Sequence, residues 1–302
     1  MKKYIHLFIL LVALISACSP ITKTRPPSSS LHILASTTFL ADIAQNVAGN
    51  RVIVKSLLPF GADPHSYQPT PVDVTKIADS NILILNGVGY ESFIEPLLNA
   101  QPAGSEHLII TASDGLDQHA MEENGTQIGD PHMWLDPIRV IKYVENIRDG
   151  LIQADPGGKA IYTANADAYI EKLKDLDGWI VEKVNTVPAE HRLLVTNHEA
   201  MGYFAERYGF EITGSVIPSF SSNASPSARE MAALIDEIKK LNVPVIFLDT
   251  ADNNTLAKQI ADETGVMIVD DLHLESLTEG PPAATYIDMM KYNVSRIVEA
   301  LK

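Results

Sequence analysis

Residues 157–187, GGKAIYTANADAYIEKLKDLDGWIVEKVNTV, carry no strand signal and lie between two groups of short apolar runs. Within them Tyr162, Tyr169, Leu173, Leu176, Ile180 and Val184 recur at helical spacing, which predicts one amphipathic helix. Continuous over that span it would be about 45 Å long, enough to run past two lobes. Gly178 is the weak point in its middle. Before this stretch, the runs at 32–36, 52–57, 81–85 and 108–112 read as strands. After it come 193–196, 211–217, 244–248 and 266–270. Helical candidates fall between them at 38–48, 71–79, 90–99, 199–208, 226–241 and 253–264. Short buried-type strands alternating with helices argue for parallel α/β sheets, one group on each side of the long helix.

A chain of 302 residues exceeds the usual size of one domain, so two lobes are the natural expectation. Its 46% hydrophobic and 20% charged residues suit a globular protein with a sizeable core. A formal net charge of −15 repels phosphate backbones, which argues against nucleic acid as a partner.

The first 17 residues read as a targeting segment. Lys2 and Lys3 precede the apolar run 4–15, which is too short to span a bilayer, and Ser16-Ala17 lead into Cys18. Cys18 is the one cysteine of the chain, so no intrachain disulfide can form. Ile15-Ser16-Ala17-Cys18 resembles a bacterial lipobox, in which the thiol is lipidated and becomes the new N-terminus. Residues 18–30, rich in Pro and Ser after the cysteine, have a tether's composition and an extended reach of about 35–40 Å. Such a protein is expected to work beside a membrane without crossing it.

Most of the nine histidines call for no special role, but two share a setting. Asp-Pro-His occurs at 63–65 and again at 130–132. Proline stiffens the loop that presents each imidazole, and the adjacent acid is placed to orient it. His65 follows the second strand, His132 the fourth, and His198 the first strand of the second group. All three therefore lie at carboxyl ends of strands, where open parallel sheets bind ligands. Three imidazoles lack one donor for a closed tetrahedron, and 268–277 offers Asp270, Asp271, His273 and Glu275.

The motifs GADPHSYQPTPVDV (61–74), NGVGYESFI (86–94), DPHMWLDP (130–137), TNHEAMGYFAERYG (196–209) and ESLTEGPPAATYIDMMKYN (275–293) together resemble one family. This is the family of zinc- and manganese-binding solute-binding proteins of bacterial ABC transporters, cluster 9 or cluster A-I. The resemblance covers nearly all of the mature chain. It implies two α/β lobes, each with a four-stranded, mainly parallel sheet, at 31–150 and 190–302, with the linking helix within 151–189. It also implies that a metal lies between the lobes and passes to an ABC permease and its ATPase, with the binding protein acting as a monomer. Carried over motif by motif, the ligands fall on His65, His132 and His198, and the acid preceding a Ser-Leu pair is Glu275. Glutamate replaces the family's usual aspartate there, which keeps Asp271 as the alternative.

A histidine at the third position belongs to the zinc branch of that resemblance. Three nitrogens and one carboxylate also suit Zn²⁺ better than Mn²⁺, the alternative cargo. The histidine-rich loop common in the zinc branch is not present: 114–130 is short, with His119 and the acids Asp117, Glu122 and Glu123 between its flanking aspartates. A zinc hydrolase is the first rival reading, with Glu199 as its candidate base. No His-Glu-x-x-His or Gly-x-Ser-x-Gly motif supports it, and the expectation is a protein that is not an enzyme. An exported adhesion protein with an incidental metal is the second rival.

Overall fold

The computed structural model describes residues 31–99, 107–123 and 125–302. The predicted targeting segment, tether and lipidated Cys18 lie outside these residues. The first lobe holds β1 (Ile33–Ala35), α1 (Thr38–Ala48), β2 (Val54–Ser56), α2 (Pro71–Ala78), β3 (Ile82–Leu85), α3 (Glu95–Asn99) and β4 (Leu108–Thr111). Its sheet is wholly parallel, in the order β2-β1-β3-β4. A hairpin follows, β5 (Ala120–Glu123) with β6 (Thr126–Gly129), and then α4 (Pro137–Ala154). The spine helix α5 (Lys159–Val184) leads into the second lobe. That lobe is built from β7 (Leu193–His198), α6 (Gly202–Tyr208), β8 (Glu211–Ile217), α7 (Ala228–Leu241), β9 (Val245–Asp249), α8 (Thr255–Thr264), β10 (Met267–Leu272) and α9 (Tyr286–Ala300). Its sheet, β10-β9-β7-β8, is parallel and repeats the first order: the first strand is central and the second lies outside it.

Helix starts follow from their capping residues. Thr37 accepts from the Leu40 amide at the head of α1, and Thr70 with Asp73 forms a capping box ahead of Pro71. Asp136 caps α4 in front of Pro137, where the missing N–H would be unpaired in any case. The spine is one helix of 26 residues, about 39 Å long. Its buried stripe contains the six predicted residues and adds Ala166. Gly178 does not break it, because that residue faces open space on the exposed side.

Three expectations need correction. The helix expected over 90–99 reduces to Glu95–Asn99, because Gly87, Val88 and Gly89 all take positive φ and residues 88–94 turn instead. The segment 114–130, read as an acidic loop, forms the β5–β6 hairpin, whose polar strands show no apolar alternation. Helices α4 and α9 add to those foreseen, both with legible N-caps, Asp136 and Thr285.

The core does not stop at the lobe boundary. One buried cluster includes Phe39 and Trp134 from the first lobe, Tyr169 and Leu173 from the spine, and Phe204, Phe247 and Tyr286 from the second. The spine packs against α1 and α4 of the first lobe and α9 of the second. Hydrogen bonds cross the same seam: Tyr286 Oη donates to the Trp134 carbonyl at 2.6 Å, and the Tyr286 amide donates to Asp42 at 3.0 Å.

Asp42 makes this seam sensitive to pH. Burial, reinforced by Asp288, outweighs the Tyr286 amide and Lys172 and pushes its carboxyl up to about 6. A carboxyl whose folded pKa is raised loses stability as pH climbs from its unfolded value through the folded one. Replacing Asp42 with Asn removes that loss. The stability of Asp42→Asn relative to wild type should therefore improve by about 1 kcal/mol between pH 5 and pH 8, read by denaturant titration at both pH values. A flat difference would mean that Asp42 titrates normally.

Candidate metal centre

Three loops and the end of strand β7 bring His65, His132, Glu275 and His198 together. One donor atom from each lies within 4.8 Å of all the others. Glu275 Oε1 is the hub, at 3.1 Å from His65 Nε2, 3.3 Å from His132 Nε2 and 3.1 Å from His198 Nε2. His132 Nε2 and His198 Nε2 are 3.3 Å apart. A tetrahedral zinc site with bonds of 2.0–2.1 Å has edges of about 3.3 Å, close to these four separations, while the whole set of donors stays within 4.8 Å.

Each donor is placed by its local sequence. His65 sits in the loop after β2, where Asp63 Oδ1 accepts its backbone amide at 2.8 Å. Asp63 Oδ2 takes the hydroxyls of Ser66 at 2.9 Å and of Ser222, in the second lobe, at 2.7 Å. Asp63 thus fixes the loop and not the imidazole. The second Asp-Pro-His behaves as predicted for an orienting acid: Asp130 Oδ1 accepts from both the amide (2.9 Å) and Nδ1 (2.8 Å) of His132. With Nδ1 engaged as donor, Nε2 is the nitrogen that faces the centre, and loss of its proton frees a lone pair for a metal. His198 is the last residue of β7.

Glu275 follows β10 and is clamped from both lobes. Asp249, at the end of β9, accepts from the Leu274 amide and, at 3.4 Å, from the Glu275 amide. From the first lobe, Trp134 Nε1 donates to the Leu274 carbonyl at 2.8 Å and the Gly61 amide donates to Ser276 Oγ at 2.7 Å. Thr38 Oγ1 accepts the Leu277 amide at 2.8 Å.

Asp271 is not brought to the cluster. Its carboxylate lies on Tyr292 Oη at 2.8 Å and on Arg296 at 3.0 Å, and those bonds hold it below the usual range against the pull of burial. Asp271 points its carboxylate at α9, so of the two acids only Glu275 faces the histidines. His273 also stands apart, beside Thr250 and Tyr292. The Glu199 carboxyl is not among the converging groups either, and burial next to Asp130 raises its pKa.

The charges are those of a cation site. Burial favours neutral Glu275, but the three imidazoles outweigh it and hold its carboxyl well below the usual range. Burial likewise opposes a charge on His132, yet its bonds to Asp130 and Glu275 raise it to about 9. His198 is lowered, chiefly by burial and also by its two imidazole neighbours, against the pull of Glu275. A proton on His132 therefore balances Glu275, and an incoming ion must displace it.

An aromatic wall encloses the imidazoles. Tyr90 meets His65 edge-on at 5.4 Å, and Trp134 lies 5.2 Å from the His132 ring while stacking on Phe39 at 4.5 Å. Trp134 thus packs the core and fixes the Glu275 loop at once. Tyr90 was not foreseen individually, and only its place in the 86–94 motif pointed to it.

Two repeated parallel sheets on one spine, with donors gathered between them at strand ends, define a two-lobed binding protein. Residues 33–300 match the family described as zinc-uptake complex component A, periplasmic. The chain belongs to this family. It is 36% identical to the manganese-binding lipoprotein MntA of Halalkalibacterium halodurans, over 100% of this chain and 99% of that one. The manganese ABC transporter substrate-binding lipoprotein PsaA of Streptococcus pneumoniae is 30% identical, with the same coverage. Among solved structures, the periplasmic zinc binding protein TroA of Treponema pallidum superposes with a TM-score of 0.81 at 27% identity, covering 90% of this chain and 99% of that one. A Mn-bound periplasmic metal binding protein from Candidatus Liberibacter asiaticus gives a TM-score of 0.79 at 30% identity, with 90% and 100% coverage.

Two outcomes follow from this geometry. Asp130→Asn should weaken metal binding by about 10–100-fold in calorimetry, because the His132 ring loses the acceptor that fixes its tautomer. Wild-type affinity would separate Asp130 from the site. In chelator competition, Glu275→Ala should release metal faster than wild type, whereas Asp271→Ala should match it. The reverse pattern would exchange the two acids.

Proposed function

We propose that this chain captures one divalent transition-metal ion, zinc by preference, on His65, His132, His198 and Glu275, and hands it to an ABC permease driven by its ATPase. The convergence of four buried donors on one point carries the reading. It receives support from the family, and from relatives named as lipoproteins of metal ABC transporters. The protein works outside the cytoplasmic membrane, lipid-anchored through Cys18 with residues 18–30 as leash. None of the described helices is long and apolar enough to cross a membrane. All four donors come from one chain, so a monomer suffices.

Zinc is favoured over manganese by the donor set. Three imidazole nitrogens and one carboxylate in a tight quartet suit a four-coordinate borderline ion, whereas Mn²⁺ favours more oxygen and six-fold coordination. The names of MntA and PsaA favour manganese as a second reading. Competition calorimetry on protein stripped of metal separates them: Zn²⁺ should displace bound Mn²⁺ at near-stoichiometric addition. His198→Glu, which exchanges a nitrogen for oxygens, should narrow the Zn²⁺/Mn²⁺ affinity ratio by tenfold or more, about 1.4 kcal/mol. An unchanged ratio would remove His198 from the selection.

A further inference from the structure

The four donors are not equally hidden. The side chains of His132, His198 and Glu275 keep 0%, 2% and 4% of their surface, whereas His65 keeps 8%. His65 also lines a cavity of about 370 Å³, which the other three do not reach. Its walls come from both lobes: Val88, Tyr90 and Ser92 of the turn after β3, Gln118 before the hairpin and Gly129 at its end, and Ser219 to Ser221 after β8. We infer that this cavity is the passage through which the ion reaches and leaves the quartet, with His65 the first donor it meets and the last it loses. The inference rests on the metal-capture reading above.

The size and chemistry of the cavity suit a hydrated cation. At about 30 Å³ per water, six aqua ligands occupy about 180 Å³, which leaves room for the ion to turn and exchange them one at a time. The lining carries no carboxylate and no ammonium group. Its hydroxyls and the Gln118 amide can hydrogen-bond the aqua ligands without offering a competing anionic site or a repelling cation. The first strong donor on the way in is thus His65.

The walls are built to hold this shape. Val88 takes φ 56 between Gly87 at φ 94 and Gly89 at φ 75. A β-branched residue in that region costs about 1–3 kcal/mol and persists only where its surroundings impose it. Here the buried Glu91 carboxylate imposes it, accepting the Gly87 amide at 3.0 Å, the Asn86 amide at 2.5 Å and the Ser36 hydroxyl at 2.8 Å. Across from Val88, a Cβ on Gly129 would collide with Gln118 Oε1 and Val88 Cγ1, so the glycine lets the hairpin close on the turn. Beyond that contact the hairpin is tied to the second lobe: His119 stacks on Tyr203 at 4.1 Å, and its Nε2 meets Glu206 at 2.9 Å.

A passage raises or lowers the barrier between free and bound states without altering either, so it changes both rate constants by one factor and leaves their ratio alone. Stopped-flow association with Zn²⁺ and release into excess chelator measure the two rates on the full chain. Ser92→Trp and Ser221→Trp narrow the cavity from opposite lobes; each should slow association and release together by about tenfold, a barrier increase near 1.4 kcal/mol. Gln118→Ala widens it and should accelerate both, with Kd within about twofold of wild type in all three. Wild-type rates in both tryptophan variants would overturn the passage, as would a change in release alone. Failure of the wild-type chain to bind Zn²⁺ or Mn²⁺ in calorimetry would overturn the metal-capture reading itself, a result the rate comparison cannot mimic.

Discussion

One carboxylate oxygen, Glu275 Oε1, stands within hydrogen-bond reach of three imidazoles drawn from both sheets. A buried anion is tolerated only where cations or donors surround it, and here they come from two loops and the end of β7. Everything that holds Glu275 in place therefore also sets where those loops must meet. The segment 274–277 takes hydrogen bonds from both lobes: Asp249 on one side, and Trp134, Gly61 and Thr38 on the other. Each is worth about 1 kcal/mol net, but leaving any one buried partner unmade costs about 1–3 kcal/mol. The seam between lobes is thus held by polar contacts that resist partial opening, on top of the apolar cluster that runs through the spine.

That arrangement bears on how an ion is exchanged. A continuous core through Phe39, Trp134, Tyr169 and Tyr286 deforms little, because close-packed interiors do not bend smoothly. If the lobes do not swing apart, traffic must use a gap that already exists, and the cavity at His65 is such a gap. The loop that carries His65 is fastened to the second lobe at two points, Asp63 to the Ser222 hydroxyl and the Gly61 amide to Ser276 Oγ.

The two sheets, the spine and the positions of the three histidines were legible because each rests on a periodic or local signal. Strands fell within a few residues of their apolar runs, since buried parallel strands read as continuous hydrophobic segments. The β5–β6 hairpin was not legible: its strands, AMEE and TQIG, are polar and largely exposed, and tertiary ties at His119 and Tyr203 hold it. The two Asp-Pro-His trios looked equivalent, yet Asp130 orients its imidazole while Asp63 binds hydroxyls and an amide. That difference lies in the partners each carboxylate finds, Ser222 above all, which is 159 residues away in the chain. Likewise the choice between Asp271 and Glu275 turns on Tyr292 and Arg296, which engage Asp271 from α9. The resemblance placed the acid on Glu275 and kept Asp271 as the alternative, and it is the Glu275 side chain that faces the histidines.

Selectivity for one metal cannot come from affinity order alone, since a nitrogen-rich site prefers copper and nickel to manganese and holds zinc above both iron and manganese. What the protein controls is how many donors can approach and how far they can retreat. His132 is locked by Asp130, Glu275 by the clamp on 274–277, and His198 by its place at the end of a central strand, whereas the His65 ring has no carboxylate on its Nδ1 and is held through its loop. His132, His198 and Glu275 present three donor atoms 3.1–3.3 Å apart, and on the proposed reading a six-coordinate ion would complete its shell with water from the cavity side. The same opening that admits the ion thus supplies the missing ligands for a larger one. On the proposed reading a site so built would discriminate by the cost of adding ligands through a single face, a cost set by the walls of the passage as much as by the four donors.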